Sequence, residues 1–220
     1  MVTAVSPPEA ISAISPLCTG CIRCITRTAQ NTEPTAWKFN FFSPRSLPAM
    51  VTFAVIIDAN QRVSRFVTLN STPDLSDVVG EWNDYTRAPS GYWNHVKHPP
   101  KQLFFCWDSI IDKKVYETRL TISDADVEKM RRPSGHKNYL GQTAYYDNIQ
   151  FGLAPEGKVA VWLVGTGDQP NYRVTPTVLN TISGDELILC KGVAQSDFSY
   201  EYEQDIKDFI KGKKYPYGKW

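Results

Sequence analysis

Several features that would assign a function directly are lacking from this sequence of 220 residues. No apolar run approaches the roughly 20 residues of a membrane-spanning helix, and the longest runs, residues 50–57 and 159–164, have the length of strands. Positive charge is not in excess, because 24 basic residues face 23 acidic ones, which argues against a nucleic-acid-binding surface. Gly-x-Ser-x-Gly, Gly-x-Gly-x-x-Gly and phosphate-loop motifs are absent, so no motif indicates a hydrolase or a nucleotide-binding enzyme.

Histidine is scarce, with only three in the chain. His95 and His98 have the spacing of a metal-binding pair, but no third ligand follows from the sequence, so we predict neither a metal site nor a cofactor. Four carboxylates lie near predicted strands and would suit a hydrolase if two of them faced one cleft: Asp108, Asp112, Glu117 and Asp147. The sequence gives no positive sign of catalysis. We therefore predict a protein that is not an enzyme, with a hydrolase using these carboxylates or histidines as the alternative.

Aromatic residues are abundant, and six Trp, eleven Tyr and ten Phe favour a packed sheet over a helical bundle. Apolar or alternating runs separated by turn signals predict consecutive antiparallel hairpins. The predicted strands are residues 35–42, 50–57, 62–69, 101–109, 115–122, 147–153, 158–164 and 172–178, the last broken by Pro176, with a further edge strand at 186–191. The run at 50–57 is apolar throughout, so we expect both of its faces to be covered.

Two short helices are predicted. Ser123 and Asp126 form a capping box before a helix at residues 124–132, which begins with acidic and ends with basic residues. A second helix, at 202–211, has Ile206 and Phe209 on one face. A helical turn is also expected at 74–81. The fold class is therefore α+β, a mainly antiparallel β-sheet or sandwich of consecutive hairpins, in one domain from 35 to 212 with a basic, aromatic tail at 213–220.

A long irregular segment at residues 72–100 interrupts these strands and is rich in aromatic residues. Loops of this length in a domain usually carry a function or hide short elements. Because Trp and Tyr are common anchors of protein interfaces, we predict partner-binding roles for four of them: Trp82, Tyr85, Tyr92 and Trp93. The alternative is that these side chains pack onto the sheet as a lid.

Residues 1–30 differ in composition from the rest and carry the three cysteines of Cys18-Thr-Gly-Cys21-Ile-Arg-Cys24. Three interpretations are open: an imperfect lipoprotein signal with Cys21 as the lipidated residue, an iron–sulfur or zinc site, and a disordered leader with incidental thiols. We expect the other two cysteines, Cys106 and Cys190, to be buried and to pack like small hydrophobic residues. A disulfide between them is left open, without support from the sequence.

Three segments of the chain resemble a known family. They are AWKFNFFSPRSLPAMVTFAVIIDAN (36–60), PPKQLFFCWDSIIDKKVYETRL (99–120) and, most specifically, YYDNIQFGLAPEGKVAVWLVG (145–165). Together they resemble the bacterial lipoprotein-like family called domain of unknown function 2931. Members of that family look like envelope lipoproteins of Gram-negative bacteria without established catalytic residues. Some resemble immunity proteins that act against lipase effectors of the type VI secretion system.

The resemblance implies a function, which we state as an expectation. The chain would be a non-enzymatic cell-envelope protein that binds a secreted antibacterial toxin, such as a phospholipase, and neutralises it by steric block. It would lie in the periplasm, with a lipid anchor at Cys21, or in the cytoplasm if the leader is not a signal. The alternative within the same family is an envelope lipoprotein with a structural role.

Overall fold

Strands make up most of the regular structure, as the aromatic composition predicts. The structure is a computed structural model that describes residues 33–85, 93–192, 198 and 202–220, with the backbone alone at 68–71. Within these residues no helix is long and apolar enough to cross a membrane. The described strands are β1 (Trp37–Pro44), β2 (Ala49–Asp58), β3 (Val63–Ser71), β4 (Asp74–Leu75), β5 (Asn94–Val96), β6 (Pro100–Ser109), β7 (Lys114–Thr121), β8 (Asn148–Ala154), β9 (Lys158–Leu163), β10 (Tyr172–Val174) and β11 (Val178–Ser183). The helices are α1 (Asp124–Arg131) and α2 (Gln204–Ile210), with a 3₁₀ turn at Gly184–Glu186.

The strands form two sheets. One has six strands in the order β10-β9-β8-β1-β4, with β5 also paired to β1, and the other has five in the order β11-β7-β6-β2-β3. The hairpins β2–β3, β6–β7 and β8–β9 are antiparallel, as the turn signals predict. β1 instead pairs in parallel with β8 and β4. The predicted α+β fold of mainly antiparallel strands is confirmed.

The core lies between the two sheets. Phe41 of the six-stranded sheet contacts Phe105 of the five-stranded sheet with ring centroids 5.0 Å apart, and Phe151 lies 6.1 Å from the same ring. Trp107 stacks on Tyr116 at 4.7 Å and donates its indole N–H to Thr118. Burying each ring of this kind away from water contributes up to about 3 kcal/mol to the free energy of folding. The alternation of aromatic residues along β1 and β6 therefore fixes which faces meet.

Helix α1 begins as its capping box predicts. Ser123 accepts a hydrogen bond from the Asp126 backbone N–H at 3.0 Å and donates its hydroxyl to the Asp126 carboxylate at 2.6 Å. Val127 and Met130 are buried against the core. The short helix is thus held by its cap and by one apolar face.

The predicted break at Pro176 is confirmed: β10 and β11 lie on either side of it, because proline has no backbone N–H for a ladder, and the second strand extends to Ser183. Two other predicted elements are wrong. Residues 74–81 do not form a helical turn, because Asp74 and Leu75 pair with the end of β1 as β4. The edge strand predicted at 186–191 is absent, since the backbone N–H groups of 188–190 bind the Glu117 carboxylate instead of a neighbouring strand.

The two cysteines of the domain also differ from the expectation of free buried thiols. Cys106 of β6 and Cys190 form a disulfide, with Cα atoms 5.5 Å apart. Both are fully buried, and half-buried Phe53, Phe104, Val115 and Leu187 pack around them. The sequence does not show this pairing, because 84 positions separate the two residues.

The last residues of the chain pack onto the domain. Tyr217 and Trp220 contact the cluster formed by Leu47, Ile111 and Ile206. The Lys219 N–H donates to the Gly80 carbonyl. The segment predicted as a tail therefore makes both apolar and backbone contacts with the rest of the chain.

Candidate functional site

The four aromatic residues predicted as anchors have different surroundings. Trp82 is half-buried in an aromatic cluster with Phe42, Trp162 and Trp220, at centroid distances of 5.6, 5.5 and 5.1 Å. Gly152 lies under this ring, and a Cβ there would come within 2.7 Å of Trp82. Contacts of this kind stabilise the domain, whatever else the side chain does.

Tyr85 is 77% exposed, three residues further along. The segment that carries it is fixed by Asp84, which accepts the Trp162 indole N–H at 2.8 Å and lies 3.8 Å from Arg173. The Arg173 guanidinium in turn stacks on Trp162 at 4.2 Å. Trp93 is half-buried, and Tyr92 lies outside the described residues. The structure thus places Trp82 and Tyr85 on one segment, the first packed inwards and the second facing solvent.

The candidate metal pair lacks a third ligand within the described residues, and two of the candidate carboxylates make contacts that hold the fold. His95 is exposed on β5, and the described residues contain no group of three or more His, Cys, Asp or Glu that could hold a metal ion. Asp147 pairs with Lys38 at 3.3 Å. Asp112 accepts hydrogen bonds from the Tyr116 and Tyr215 hydroxyls and the Glu156 backbone. These contacts tie turns and the C-terminal segment to the domain.

A groove of about 590 Å³ is lined by residues of the β1–β2 turn, β4 and α2. Asp74 lies in it and accepts the Ser46 backbone N–H at 2.6 Å. Burial raises the pKa of Asp74, although that hydrogen bond and the Arg45 charge oppose the rise. Asp205 adds a like charge that raises the pKa further. The sequence did not predict this groove. Acid–base catalysis would need a second group with a different pKa, and we assign no reaction here.

Apolar side chains lie on the outer face of the five-stranded sheet, interspersed with Arg65, Gln102 and Arg119. We use the name outer apolar surface for the following set of side chains: Phe53, Val55, Val63, Val67, Phe104, Ile188 and Leu189. On the strands, Phe53, Val55 and Phe104 are half-buried and Val63 and Val67 are exposed. Ile188 and Leu189, in the loop after the 3₁₀ turn, are 64% and 57% exposed. The expectation that β2 is covered on both faces is therefore wrong for this face, whose side chains are only half-buried.

Glu117 fixes the loop that presents Ile188 and Leu189. It lies on β7 with its carboxylate fully buried, and one oxygen accepts the backbone N–H groups of Ile188, Leu189 and Cys190 at 2.9, 2.7 and 3.0 Å. The other oxygen accepts from Arg119 at 2.7 Å. Burial works to raise the pKa of Glu117, but these hydrogen bonds together outweigh it and the pKa is lowered. The carboxylate is thus charged and saturated with donors.

Two further contacts hold this loop on the sheet. The disulfide ties Cys190 to β6, and Leu187 packs beside Phe53 and Phe104. Arg119, once paired with Glu117, stacks on Phe104 at 5.6 Å. Ile188 and Leu189 therefore stand on a rigid base, which sequence reasoning missed because Glu117 and the loop are more than 70 positions apart.

The geometry defines a class: a two-sheet α+β sandwich that displays a rigid apolar outer surface. The family described as "Protein of unknown function (DUF2931)" matches residues 25–218, and the chain belongs to that family. The resemblance found from the three sequence segments is thereby confirmed. No curated protein and no solved structure matches the chain.

Proposed function

We propose that this chain is a non-enzymatic cell-envelope protein that binds and neutralises a secreted antibacterial toxin. The observation that carries the proposal is the outer apolar surface. Large exposed apolar patches on a soluble domain commonly mark interaction sites. A tight protein complex buries about 800 Å² on each partner around a few apolar anchors. Ile188 and Leu189 supply such anchors, in the loop whose Leu187 packs with Phe53 and Phe104.

Preorganisation of the loop supports tight binding. A partner does not have to order the backbone of residues 188–190, because Glu117 and the disulfide already hold it. The entropic cost of association is correspondingly smaller. Inhibition would be steric: the rigid surface covers the mouth of the toxin's active cleft.

The disulfide supports a location in the envelope. Structural disulfides form and persist in oxidising compartments such as the periplasm and are rare in the cytoplasm. Cys106 and Cys190 are bonded and buried, which fits export. The proposed lipid anchor at Cys21 lies outside the described residues.

A phospholipase is the toxin class we propose, following the family resemblance. An enzyme that admits acyl chains has an apolar rim around its cleft, and the outer apolar surface would complement such a rim. The partner-binding role of the four aromatic residues stays a prediction. Of the three that the structure describes, Tyr85 has the most exposed side chain.

The test uses a Gram-negative host that exports both this chain and a phospholipase effector of the type VI secretion system. We expect wild-type protein to restore growth and to inhibit the purified lipase. The double variant Ile188→Asp, Leu189→Asp should lose at least about a hundredfold in affinity, since two anchors are removed. Leu140→Asp, at an even more exposed position on another loop, is the control and should bind normally.

Two outcomes would overturn the proposal. Wild-type protein that neither protects the host nor binds the lipase would exclude this toxin class. If the double variant binds the lipase fully and Tyr85→Ala does not bind it, the interface lies on the segment predicted from the sequence. Thermal unfolding of each variant separates loss of binding from loss of fold.

A further inference from the structure

A second exposed apolar feature lies away from the outer apolar surface, in the loop between α1 and β8. We call residues 134–144 the tip loop. At the outermost turn of this loop Tyr139 and Leu140 are adjacent. They are 79% and 80% exposed, the two most exposed large apolar side chains among the described residues. Neither the sequence patterns nor the proposed function accounts for them.

The end of the tip loop is rigid. The Asn138 side-chain oxygen accepts the backbone N–H groups of Leu140 and Gln142, both at 2.9 Å. The Asn138 N–H donates to the Gln142 carbonyl, and the Gly141 N–H donates back to the Asn138 carbonyl. Because one asparagine organises the whole turn, Tyr139 and Leu140 are presented in a fixed arrangement.

The base of the tip loop is clamped to the loop that follows β9. The Lys137 N–H donates to the Asp168 carboxylate at 3.2 Å. Gly167 has a positive φ of 65° and lies against the Lys137 carbonyl, where a Cβ would come within 2.3 Å. Ser134 and Ala144 close the loop through a backbone hydrogen bond of 3.0 Å. The tip therefore needs little further ordering on binding.

The surroundings of the tip are basic. Between residues 128 and 144 four side chains are cationic and one is acidic, and Asp168 adds a second acidic group at the base of the loop: Lys129, Arg131, Arg132 and Lys137 against Glu128 and Asp168. Glu128 is shared between Arg131 at 3.2 Å and Arg132 at 3.5 Å. Since the whole chain has a net charge of only +1, this is a local concentration of positive charge.

We propose that the tip loop docks on the surface of an anionic lipid bilayer. Tyr139 and Leu140 enter the boundary between head groups and acyl chains, and the surrounding cations lie over the phosphates. Two protruding side chains offer too little apolar area for the core of a standard protein interface, which buries about 800 Å² on each side. A bilayer requires only a shallow apolar insertion with basic flanks. The inference is independent of the proposed toxin binding.

Co-sedimentation with vesicles tests it, using the full chain purified without lipid modification. Vesicles of phosphatidylethanolamine and phosphatidylglycerol in equal parts should carry the protein into the pellet, and vesicles of phosphatidylcholine alone should not. Binding should weaken steeply as salt approaches about 1 M, where the Debye length is about 3 Å.

Variants locate the contact. Leu140→Asp should weaken binding to the anionic vesicles by at least about tenfold, because an apolar insertion is replaced by a charge. Lys137→Ala should weaken it by about fivefold. Ile188→Asp, on the outer apolar surface, is the matched control and should sediment like wild-type protein. The proposal is overturned if wild-type protein stays in the supernatant, or if Leu140→Asp sediments with anionic vesicles as strongly as wild-type protein does. Binding of the tip to a protein partner but to no vesicle would also overturn it.

Discussion

At the scale of single residues, Glu117 has the most consequential surroundings. A buried carboxylate costs several kcal/mol to desolvate unless it is paired and saturated with hydrogen bonds. Glu117 meets that condition with three backbone donors and Arg119. One side chain therefore determines the path of a loop that is distant in sequence, and it does so only as a charged group.

Replacing Glu117 by Gln should lower the free energy of unfolding by about 3 kcal/mol, because the amide keeps only one acceptor oxygen, turns its NH2 group towards either the backbone N–H groups or Arg119, and loses the negative charge. Urea unfolding followed by tryptophan fluorescence measures this. Glu186→Gln, at an exposed position in the 3₁₀ turn, is the control and should change stability by less than about 0.5 kcal/mol. Equal stability of Glu117→Gln and wild-type protein would contradict the role given to this carboxylate.

The pH dependence of stability follows from the lowered pKa of Glu117. The folded protein holds this proton less tightly than the unfolded chain does, so the stabilisation is complete above about pH 4.5 and is lost as pH falls through the folded-state value. Unfolding free energies measured between neutral and acidic pH should fall more steeply in wild-type protein than in Glu117→Gln. Parallel curves would show that Glu117 is not linked to folding.

At the scale of elements, the loop after β11 is held by two independent attachments. Glu117 binds its backbone, and the disulfide ties its end to β6. β11 itself forms the edge of the five-stranded sheet and pairs only with β7 among the described strands. The loop is therefore fixed to the sheet by a charge and a covalent bond instead of by strand pairing.

Removing the disulfide should lower stability by about 4 kcal/mol, because a crosslink over 84 positions restricts the unfolded chain strongly. The double variant Cys106→Ser, Cys190→Ser and wild-type protein in dithiothreitol should unfold at similar urea concentrations. Dithiothreitol should not affect the double variant, which is the control. If dithiothreitol does not change the urea unfolding of wild-type protein, the disulfide does not contribute to its stability.

At the scale of the whole molecule, the C-terminal residues join parts that are far apart in sequence. Trp220 packs against Trp82, and Lys219 bonds to Gly80. Tyr215 donates to Asp112, in the turn between β6 and β7. Residues 213–220 thus bridge the aromatic cluster on the six-stranded sheet and a turn of the five-stranded sheet.

Ending the chain after Gly212 should lower the free energy of unfolding by more than Trp220→Ala does. Trp220→Ala should lower the free energy of unfolding by about 2 kcal/mol, since it removes a half-buried ring from one aromatic cluster. Thermal unfolding followed by circular dichroism checks both. Lys214→Ala, at an exposed position of the same segment, is the control. Unchanged stability after truncation would show that the segment is dispensable for the fold.

The sequence by itself determined the elements whose signals are local. Alternation along β1 and β7, the turn between β8 and β9 and the Ser123 cap each depend on residues a few positions apart, so their patterns predict them. The segments that contain β1, the β6–β7 hairpin and the β8–β9 turn also carry the family resemblance. Trp82 and Tyr85 could be identified as unusual for a loop, but the burial of Trp82 could not be predicted, because it depends on Phe42, Trp162 and Trp220.

Only the tertiary structure decided which distant residues meet. The parallel pairing of β1 with β8, the disulfide and the binding of residues 188–190 by Glu117 each join positions more than 70 apart. These contacts depend on the order of strands in the two sheets, which no local periodicity encodes. The outer apolar surface and the tip loop follow from that order, because the sheets decide which apolar side chains are buried and which face the solvent.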